Sequence, residues 1–275
     1  MKNKLSISGI ACHIFLYVIA AAMFIPFVWL IISSFRPNLD IFKEPFAIPK
    51  TLNFDNYIAV LESQPMFKYL FNTVFVAFFA TFLNIVISSM ASFVLLFDFK
   101  LKSKISALFY IGIFIPTNAF MVPYYIMINK MGLYDNLWGL VIVYAVINLP
   151  LSIMIVRGYM TSLPMELMDS ARIDGATIHQ TFLQIIMPLT KPGIVTACVF
   201  IVLNSWNELL FGNLLNQSEK SRTVQVAIKS FLSTFSADYG HAFAAMIICI
   251  LPTIIIYVFL TDKIIGGMTA GAVKG

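Results

Sequence analysis

Residues 164–192 read PMELMDSARIDGATIHQTFLQIIMPLTKP and form the one long polar interval in the second half of the chain that lies among basic loops. The first part, residues 164–174, favours a short helix. Ser162 can cap this helix, and the proline that follows presets φ for a first turn. Glu166 and Asp169 would then lie near the positive end of the helix dipole, where acidic side chains are favourable.

Gly175 follows this helix and permits a sharp turn that a Cβ atom would resist. A second short helix is predicted over residues 177–187, and it runs to Pro188. Helix, glycine, helix and proline together predict a compact hairpin, which is attached at both ends to apolar segments.

The composition is that of an integral membrane protein. Of the 275 residues, 60% are hydrophobic and 11% are charged, whereas soluble domains have about 45–50% and about 25%. Inside lipid every backbone polar group needs an internal partner, so the apolar intervals are predicted to be helical.

We expect one all-α domain over residues 1–275, a polytopic membrane helix bundle with six transmembrane helices. Intervals of about 20 residues or more cover residues 10–33, 69–97, 105–128, 136–156, 193–215 and 241–261. The first is too long for a cleavable signal sequence and is predicted to remain as a span.

Lysine and arginine positions predict the orientation of the spans. Residues 100–104 hold three lysines, whereas residues 129–135 hold one lysine and one aspartate. Both termini are therefore predicted to be cytoplasmic. This orientation makes residues 36–68 and 216–240 external loops and residues 158–192 a cytoplasmic loop. The net charge of +5 belongs to this pattern and does not indicate a nucleic-acid surface.

The predicted external loop at residues 36–68 contains four prolines and several aromatic residues, which favour an ordered segment. Residues 53–62 could form an interfacial helix, or could be a loop that lies among the lipid headgroups.

No catalytic motif is present in the sequence. It contains no GxxxxGK[ST] nucleotide-binding loop, no HExxH and no GxSxG. Cys12, Cys198 and Cys249 each lie inside apolar runs, where small core residues are the expected role. We therefore expect a chain that is not an enzyme and holds no cofactor or metal of its own.

The fifth apolar interval contains Asn204-Ser205-Trp206-Asn207-Glu208. An ionisable group at membrane depth is a functional candidate, because water or partners must offset its burial. Trp206 can stack on a sugar face, while Asn204, Asn207 and Glu208 can bond to hydroxyl groups. In the alternative interpretation, Glu208 stabilises the bundle or a partner interface.

The polar hairpin resembles the "EAA" loop of ABC importer permeases. The carrying residues are DSARIDGA at 169–176 and IIMP at 185–188. In that loop Glu-Ala-Ala precedes a glycine by three residues, and Ile-x-Leu-Pro begins ten residues after the glycine. Here Asp-Ser replaces Glu-Ala, and Met187 replaces Leu. An ordinary amphipathic cytoplasmic loop is the alternative.

The whole chain is similar to the binding-protein-dependent carbohydrate importers, and within them to the second six-span permease of the maltose type. The spans, the hairpin, Trp206-Asn207-Glu208 and the tail GMTAGAVKG at residues 267–275 carry this resemblance. It implies the ABC type I importer permease fold in a bacterial inner or plasma membrane. It also implies a heterodimer with a second homologous permease, two ABC ATPase subunits that bind ATP and magnesium, and an extracellular sugar-binding protein.

The resemblance further implies that residues 164–177 form the coupling helix, which docks in a cleft of an ATPase subunit. Residues 216–240 would face the binding protein, and the tail would touch the ATPase dimer. The positions assigned to ATPase coupling are Glu166, Asp169, Ala171, Arg172, Asp174, Gly175 and Pro188.

Three other functions remain to be compared with sugar import. A permease for a non-sugar solute would share the hairpin but not the tail. An ion-coupled secondary carrier predicts matched halves with broken helices, and the sequence shows no matched halves. A membrane enzyme would require a catalytic constellation.

Overall fold

The computed structural model describes the backbone of residues 7–233 and 236–272, and the side chains of residues 12–232 and 238–255. Most of this part of the chain is helical. The helices are α1 Ile7–Ser34, α2 Asn38–Lys43, α3 Asp55–Ser63, α4 Met66–Val94, α5 Lys102–Phe114, α6 Met121–Lys130, α7 Leu137–Ile147, α8 Leu149–Met160, α9 Glu166–Ile173, α10 Ile178–Gln180, α11 Met187–Leu189, α12 Lys191–Asn207, α13 Leu210–Leu215, α14 Val224–Ser230 and α15 Tyr239–Ala272. A 3-10 helix covers Thr117–Phe120, a π-helix covers Thr181–Ile186, and a short antiparallel ladder pairs β1 Leu232–Ser233 with β2 Ser236–Ala237.

The chain forms two compact units. The first comprises Met1–Met66 with Ala227–Pro252, and the second comprises Phe67–Val226 with Thr253–Gly275. The predicted site residues all lie in the second unit.

The first unit contains an ordered segment after α1, as the prolines and aromatic residues predict. Arg36 is 4% exposed, and its guanidinium donates hydrogen bonds to the carbonyl oxygens of Asp40 and Glu44, each at 2.7 Å. These carbonyls also accept the backbone N–H groups of Glu44 and Ala47, so the guanidinium adds a second donor to each at the end of α2. The helix predicted over residues 53–62 is confirmed by α3, Asp55–Ser63. Its position relative to a lipid surface stays a prediction.

The core of the second unit is built from α4, α6, α7 and α13. Tyr144 and Phe211 are each 1% exposed and share a cluster of buried apolar side chains. Cys249, in the first unit, is buried, Cys198 is partly buried, and Cys12 is exposed on α1. A core position is therefore confirmed for Cys249, whereas it is wrong for Cys12.

Several predicted spans differ from continuous helices. Within the described residues, Cys12–Ser34 and Met66–Val94 are each long and apolar enough to cross a membrane, and Tyr239–Ile255 is a shorter apolar helix. The other three predicted spans fall on helix pairs or broken helices. The helices before and after the break near Pro116 are bent by 99°, and α7 and α8 are bent by 50°. Proline disfavours a helical residue before it, and Ile115 before Pro116 is accordingly extended. Pro150 lies in the first turn of α8, where its missing N–H is tolerated but cannot continue the bonds of α7. The count of six spans stays a prediction.

Helix α12 begins in close contact with the end of α8. A Cβ atom on Gly193 would lie 2.5 Å from two ring atoms of Tyr159, whereas a Cβ atom on Gly158 would have no neighbour within 4 Å. Glycine at position 193 is therefore required by packing, and it lets the two helices approach.

Gly193→Ala should destabilise the protein by about 1–3 kcal/mol, because the added methyl group forces the Tyr159 ring out of a packed site. The thermal unfolding midpoint in detergent measures this effect. Gly158→Ala is the matched control, since it adds the same methyl group to open space and slightly favours the helix. Equal midpoints for the two variants would contradict this account of the packing.

Candidate functional site

The first arm of the polar hairpin is α9, Glu166–Ile173. Glu166 and Asp169 lie in its first turn, as predicted. The prediction that Ser162 caps this helix is wrong. The Ser162 hydroxyl donates to the carbonyl oxygen of Tyr159 at 2.7 Å, and the residue at the cap, Met165, makes no side-chain capping bond. The serine lies too far upstream and closes the last turn of α8 instead.

The turn after α9 has the geometry that the glycine predicts. Gly175 has φ of +79°, in the left-handed region that residues with a Cβ rarely adopt. The N–H of Ala176 donates to the carbonyl of Ala171, and the N–H of Gly175 donates to that of Arg172. This pair of bonds is a Schellman motif, which satisfies the last carbonyls of the helix. The turn is therefore fixed by backbone bonds.

The second arm begins at Thr177, which forms a reciprocal capping box with Gln180. The helix predicted over residues 177–187 is present from Ile178 to Leu189, and it continues past Pro188. Its middle, Thr181–Ile186, is π-helical, which the apolar spacing did not indicate. The chain then bends by 74° before α12.

A cluster of apolar side chains attaches the hairpin to the helices around it. Phe182 packs against Phe93 of α4 with ring centroids 4.9 Å apart, and Met168 and Ile185 pack against the buried cluster that includes Met160. The hairpin therefore moves with α4, α8 and α12 and is not a free loop.

The outer face of the hairpin combines charges with apolar side chains. Ala171 is 5% exposed, whereas Ile173 is 85% exposed. The remaining residues predicted to couple to an ATPase, Glu166, Asp169, Arg172, Asp174, Gly175 and Pro188, are exposed. A cleft of about 210 Å³ opens between the arms beside Arg172 and Phe97. A rigid, mixed surface of this kind suits a protein contact, with Ala171 as the one predicted residue that faces inward.

Glu208 lies at the break between α12 and α13. Its carboxylate accepts hydrogen bonds from the hydroxyl of Tyr144 at 2.5 Å, the N–H of Phe211 at 2.9 Å and the N–H of Gly212 at 3.0 Å. All three partners are donors, as an ionised carboxylate requires. Glu208 therefore satisfies the free N–H groups at the start of α13, which favours the structural interpretation.

The other residues of the predicted substrate pathway have different surroundings. Trp206 is 3% exposed, so its ring packs inside the bundle. Asn204 is exposed and donates to the Asn148 side chain at 2.9 Å, and Asn207 is exposed and donates to the carbonyl of Leu203. Their role in a pathway stays a prediction. Sequence analysis did not identify Tyr144 or Asn148, because each lies in an apolar interval without a charge to mark it.

Residues 216–224, in the predicted external loop, are fixed by side chains from other segments. Asn72 donates to the carbonyl of Arg222 at 2.8 Å, and the Thr73 hydroxyl accepts from the N–H of Val224 at 3.0 Å. Asp135, with φ of +55°, accepts from the N–H of Ser218 at 3.0 Å. The loop is therefore ordered where the sequence predicts an external surface.

The pKa of the Asp135 carboxyl lies below its usual value. Partial burial is the largest influence and would raise the pKa, but hydrogen bonds from Ser218 and Ser221 and the charge of Lys220 together outweigh it. A depressed pKa means that the ionised carboxylate stabilises the fold.

Glu208→Gln should destabilise the protein by about 1–3 kcal/mol, because its NH2 group would face the N–H donor of either Phe211 or Gly212. The thermal unfolding midpoint in detergent measures this effect. Glu219→Gln is the matched control, since the Glu219 side chain is 65% exposed. An unchanged unfolding midpoint in Glu208→Gln would contradict the structural role.

Asp135→Asn should lower stability at neutral pH by about 0.5–1.5 kcal/mol, since asparagine tolerates the same φ but lacks the charge. The contribution of Asp135 is present above the ordinary carboxylate pKa of about 3.9 and is lost as the pH falls through the lower folded-state value. The difference between variant and wild type in unfolding midpoint should therefore narrow below about pH 4. Glu62→Gln is the control, because the Glu62 side chain is exposed on α3. If the difference in unfolding midpoint between Asp135→Asn and wild type widened as the pH fell, the stabilising role of the ionised Asp135 carboxylate would be disproved.

These features define the class of the protein: a helical membrane protein whose spans carry a rigid polar hairpin suited to docking a partner. The chain belongs to the family described as binding-protein-dependent transport system inner membrane component, whose sequence pattern matches residues 84–268. The family assignment confirms the permease resemblance that the hairpin indicated. The backbone of residues 267–272 continues α15. The predicted contact of the 267–275 tail lies outside the residues whose side chains are described.

Two relatives and one solved structure align with nearly the whole chain. The chain is 34% identical to a putative ABC transporter permease protein of Caldicellulosiruptor sp. (strain Rt8B.4), over 95% of this chain and 96% of the relative. It is 30% identical to the arabinooligosaccharides transport system permease protein AraQ of Bacillus subtilis (strain 168), over 99% of this chain and 98% of that relative. A solved bacterial ABC transporter involved in the import of alginate contains a chain with a TM-score of 0.80 and 21% identity, covering 95% of this chain and 98% of that chain. The fold is therefore an all-α membrane bundle of the ABC importer permease type.

Proposed function

We propose that this chain is a transmembrane permease subunit of an ATP-driven ABC importer, and that the solute is an oligosaccharide or a related carbohydrate delivered by an extracellular binding protein. The observation that carries the proposal is the rigid hairpin, whose glycine turn and second helix have the spacing of the permease coupling loop. Its family and the sugar-transport name of a relative that aligns along 99% of the chain support the carbohydrate class.

The hairpin is built to transmit force. A push on α9 cannot be absorbed in the turn, because the Schellman bonds and the Thr177 capping box fix both sides of Gly175. The apolar contacts of Phe182 and Met168 transmit the force on α9 to the surrounding helices. Closure of an ATPase dimer below the hairpin would therefore move these helices as a body.

The partners follow from this role. A second homologous permease completes a heterodimer, and two ABC ATPase subunits bind ATP and magnesium. This chain carries no catalysis of its own. We further propose that both termini are cytoplasmic, so that the hairpin faces the ATPase and the fixed loop at residues 216–224 faces the binding protein.

Asp174→Lys should abolish recovery of the ATPase with tagged permease from mild detergent, while membrane insertion is unchanged. Asp174 is exposed at the C-cap of α9 with φ of −73°, and lysine is favourable at a helix C-terminus. Loss of binding would therefore come from the altered contact surface and not from unfolding.

Asp98→Lys is the matched control, because it reverses another exposed acid at the predicted cytoplasmic side. Mass spectrometry of the wild-type preparation should identify a second permease and an ATPase. Full ATPase recovery with Asp174→Lys would remove the coupling assignment. A wild-type chain that purifies alone, with uptake driven by an ion gradient, would replace the importer with a secondary carrier.

A further inference from the structure

Three helix breaks in the second unit meet at one level. The break between α5 and α6 follows Gly112, where a Cβ atom would lie 3.0 Å from the ring of Pro150. The break between α7 and α8 is at Asn148, whose side chain accepts from Asn204 at 2.9 Å. The break between α12 and α13 is closed by Glu208, which accepts from Tyr144 at 2.5 Å. We call these three breaks together the break layer.

The break layer lies deep within the predicted spans. Helices α5 and α8 have 13 and 12 residues, and Arg157 near the end of α8 donates to Ser106 near the start of α5 at 2.9 Å. At a rise of 1.5 Å per residue, the full lengths of these helices place the layer about 20 Å from their ends at Lys102 and Met160. Asn204 follows Lys191 by 13 residues (204 − 191), which gives about the same depth along α12. A hydrocarbon core is about 30 Å thick, so the layer falls inside it.

Four polar side chains at the break layer are exposed. Thr117 and Asn118 occupy the 3-10 helix after the first break, and Asn204 and Asn207 occupy the end of α12. Among the described residues, the side chains of Thr117 and Asn118 have no hydrogen-bond partner. Asn204 and Asn207 use only their NH2 groups, towards Asn148 and Leu203, which leaves their carbonyl oxygens free.

Lipid is an unfavourable neighbour for this surface. An amide or hydroxyl without a hydrogen bond in an apolar medium costs about 2–7 kcal/mol. Irregular backbone at membrane depth is tolerated where protein covers it or where it lines a water-filled cavity. The four exposed side chains therefore face water or a partner protein.

The residues assigned to the pathway from sequence separate into two groups. Glu208 and Trp206 point inward, where Glu208 bonds to Tyr144 and Trp206 is 3% exposed. They are positioning residues that fix the end of α12. Asn204 and Asn207 are exposed at the same helix end and remain available to a ligand.

We propose that Thr117, Asn118, Asn204 and Asn207 line the solute pathway and hydrogen-bond to the hydroxyl groups of a carbohydrate. Amides and hydroxyls suit this ligand because they both donate and accept, and the four side chains carry no charge. The inference rests on the proposed function, and it adds the break between α5 and α6 as a second recognition element.

The pathway is tested by cysteine substitution in the assembled complex, after Cys12, Cys198 and Cys249 are replaced by serine. Asn118→Cys and Asn207→Cys should react with a water-soluble cationic thiosulfonate at least about tenfold faster than Leu108→Cys, because lipid excludes a charged reagent. Leu108 is 68% exposed on α5 between the basic end and the break. Asn129→Cys, at the end of α6 and exposed, is the reactive control. Reaction at Asn129→Cys alone overturns the proposal.

Recognition is tested separately in the native cysteine background. A panel of labelled oligosaccharides identifies the sugar that the wild-type complex imports, and uptake of that sugar is measured for Asn118→Ala and Asn207→Ala. Loss of one amide hydrogen bond should lower uptake at limiting sugar about tenfold, while ATPase recovery stays normal. Asn129→Ala should match wild type.

The outcomes separate this inference from the proposed function. A complex that assembles and imports sugar, with wild-type uptake in both alanine variants, retains the importer assignment and disproves recognition at the break layer. A complex that imports no sugar from the panel, or that lacks an ATPase, removes the proposed function and this inference with it.

Discussion

Helix breaks at membrane depth impose the strictest constraint on this protein, because a bilayer offers no partner to the freed N–H and C=O groups. Glu208 meets that constraint at the end of α12. Its carboxylate bonds to two N–H groups at the start of α13 and to the Tyr144 hydroxyl. A carboxylate at this depth is costly unless donors surround it, and here the donors are the groups that the break leaves unpaired. The Glu208 carboxylate therefore accepts hydrogen bonds from the N–H groups that the break frees, and these bonds offset the cost of placing the charge at this depth.

The hairpin depends on a different kind of stabilisation. Its turn is fixed by local backbone bonds around Gly175 and by the capping box at Thr177, so its shape follows from a few adjacent residues. Its attachment depends on distant apolar contacts such as that of Phe182 with Phe93. The exposed acids of the hairpin take part neither in the bonds that fix the turn nor in the apolar contacts that attach the hairpin. The charge of the outer face of the hairpin can therefore vary without a change in the fold.

The difference between local and tertiary determinants explains what the sequence could predict. Gly175 was identified correctly as a turn residue, because glycine adopts a positive φ without help from distant contacts. The Ser162 cap was wrong, since serine also closes the preceding helix by bonding to Tyr159. Pro116 and Pro150 mark two helix breaks in the sequence, but neither the bends of 99° and 50° nor the π-helix at Thr181–Ile186 is encoded by a single residue. Tyr144 could not be recognised as the partner of Glu208, because the two are 64 positions apart.

Helix α12 joins the hairpin to the break layer, the two regions that we propose to be functional. It begins beside the hairpin, where Gly193 packs on Tyr159 of α8, and it ends at the break layer, where Asn204 bonds to Asn148 before α8. Two helices held at both ends behave as one rigid body, since neither can slide without breaking a packed or hydrogen-bonded contact. A displacement of the hairpin is then carried along about 25 Å of helix to the polar side chains at the breaks. The same pair of contacts that stabilises the second unit would couple a nucleotide-driven movement to the solute pathway.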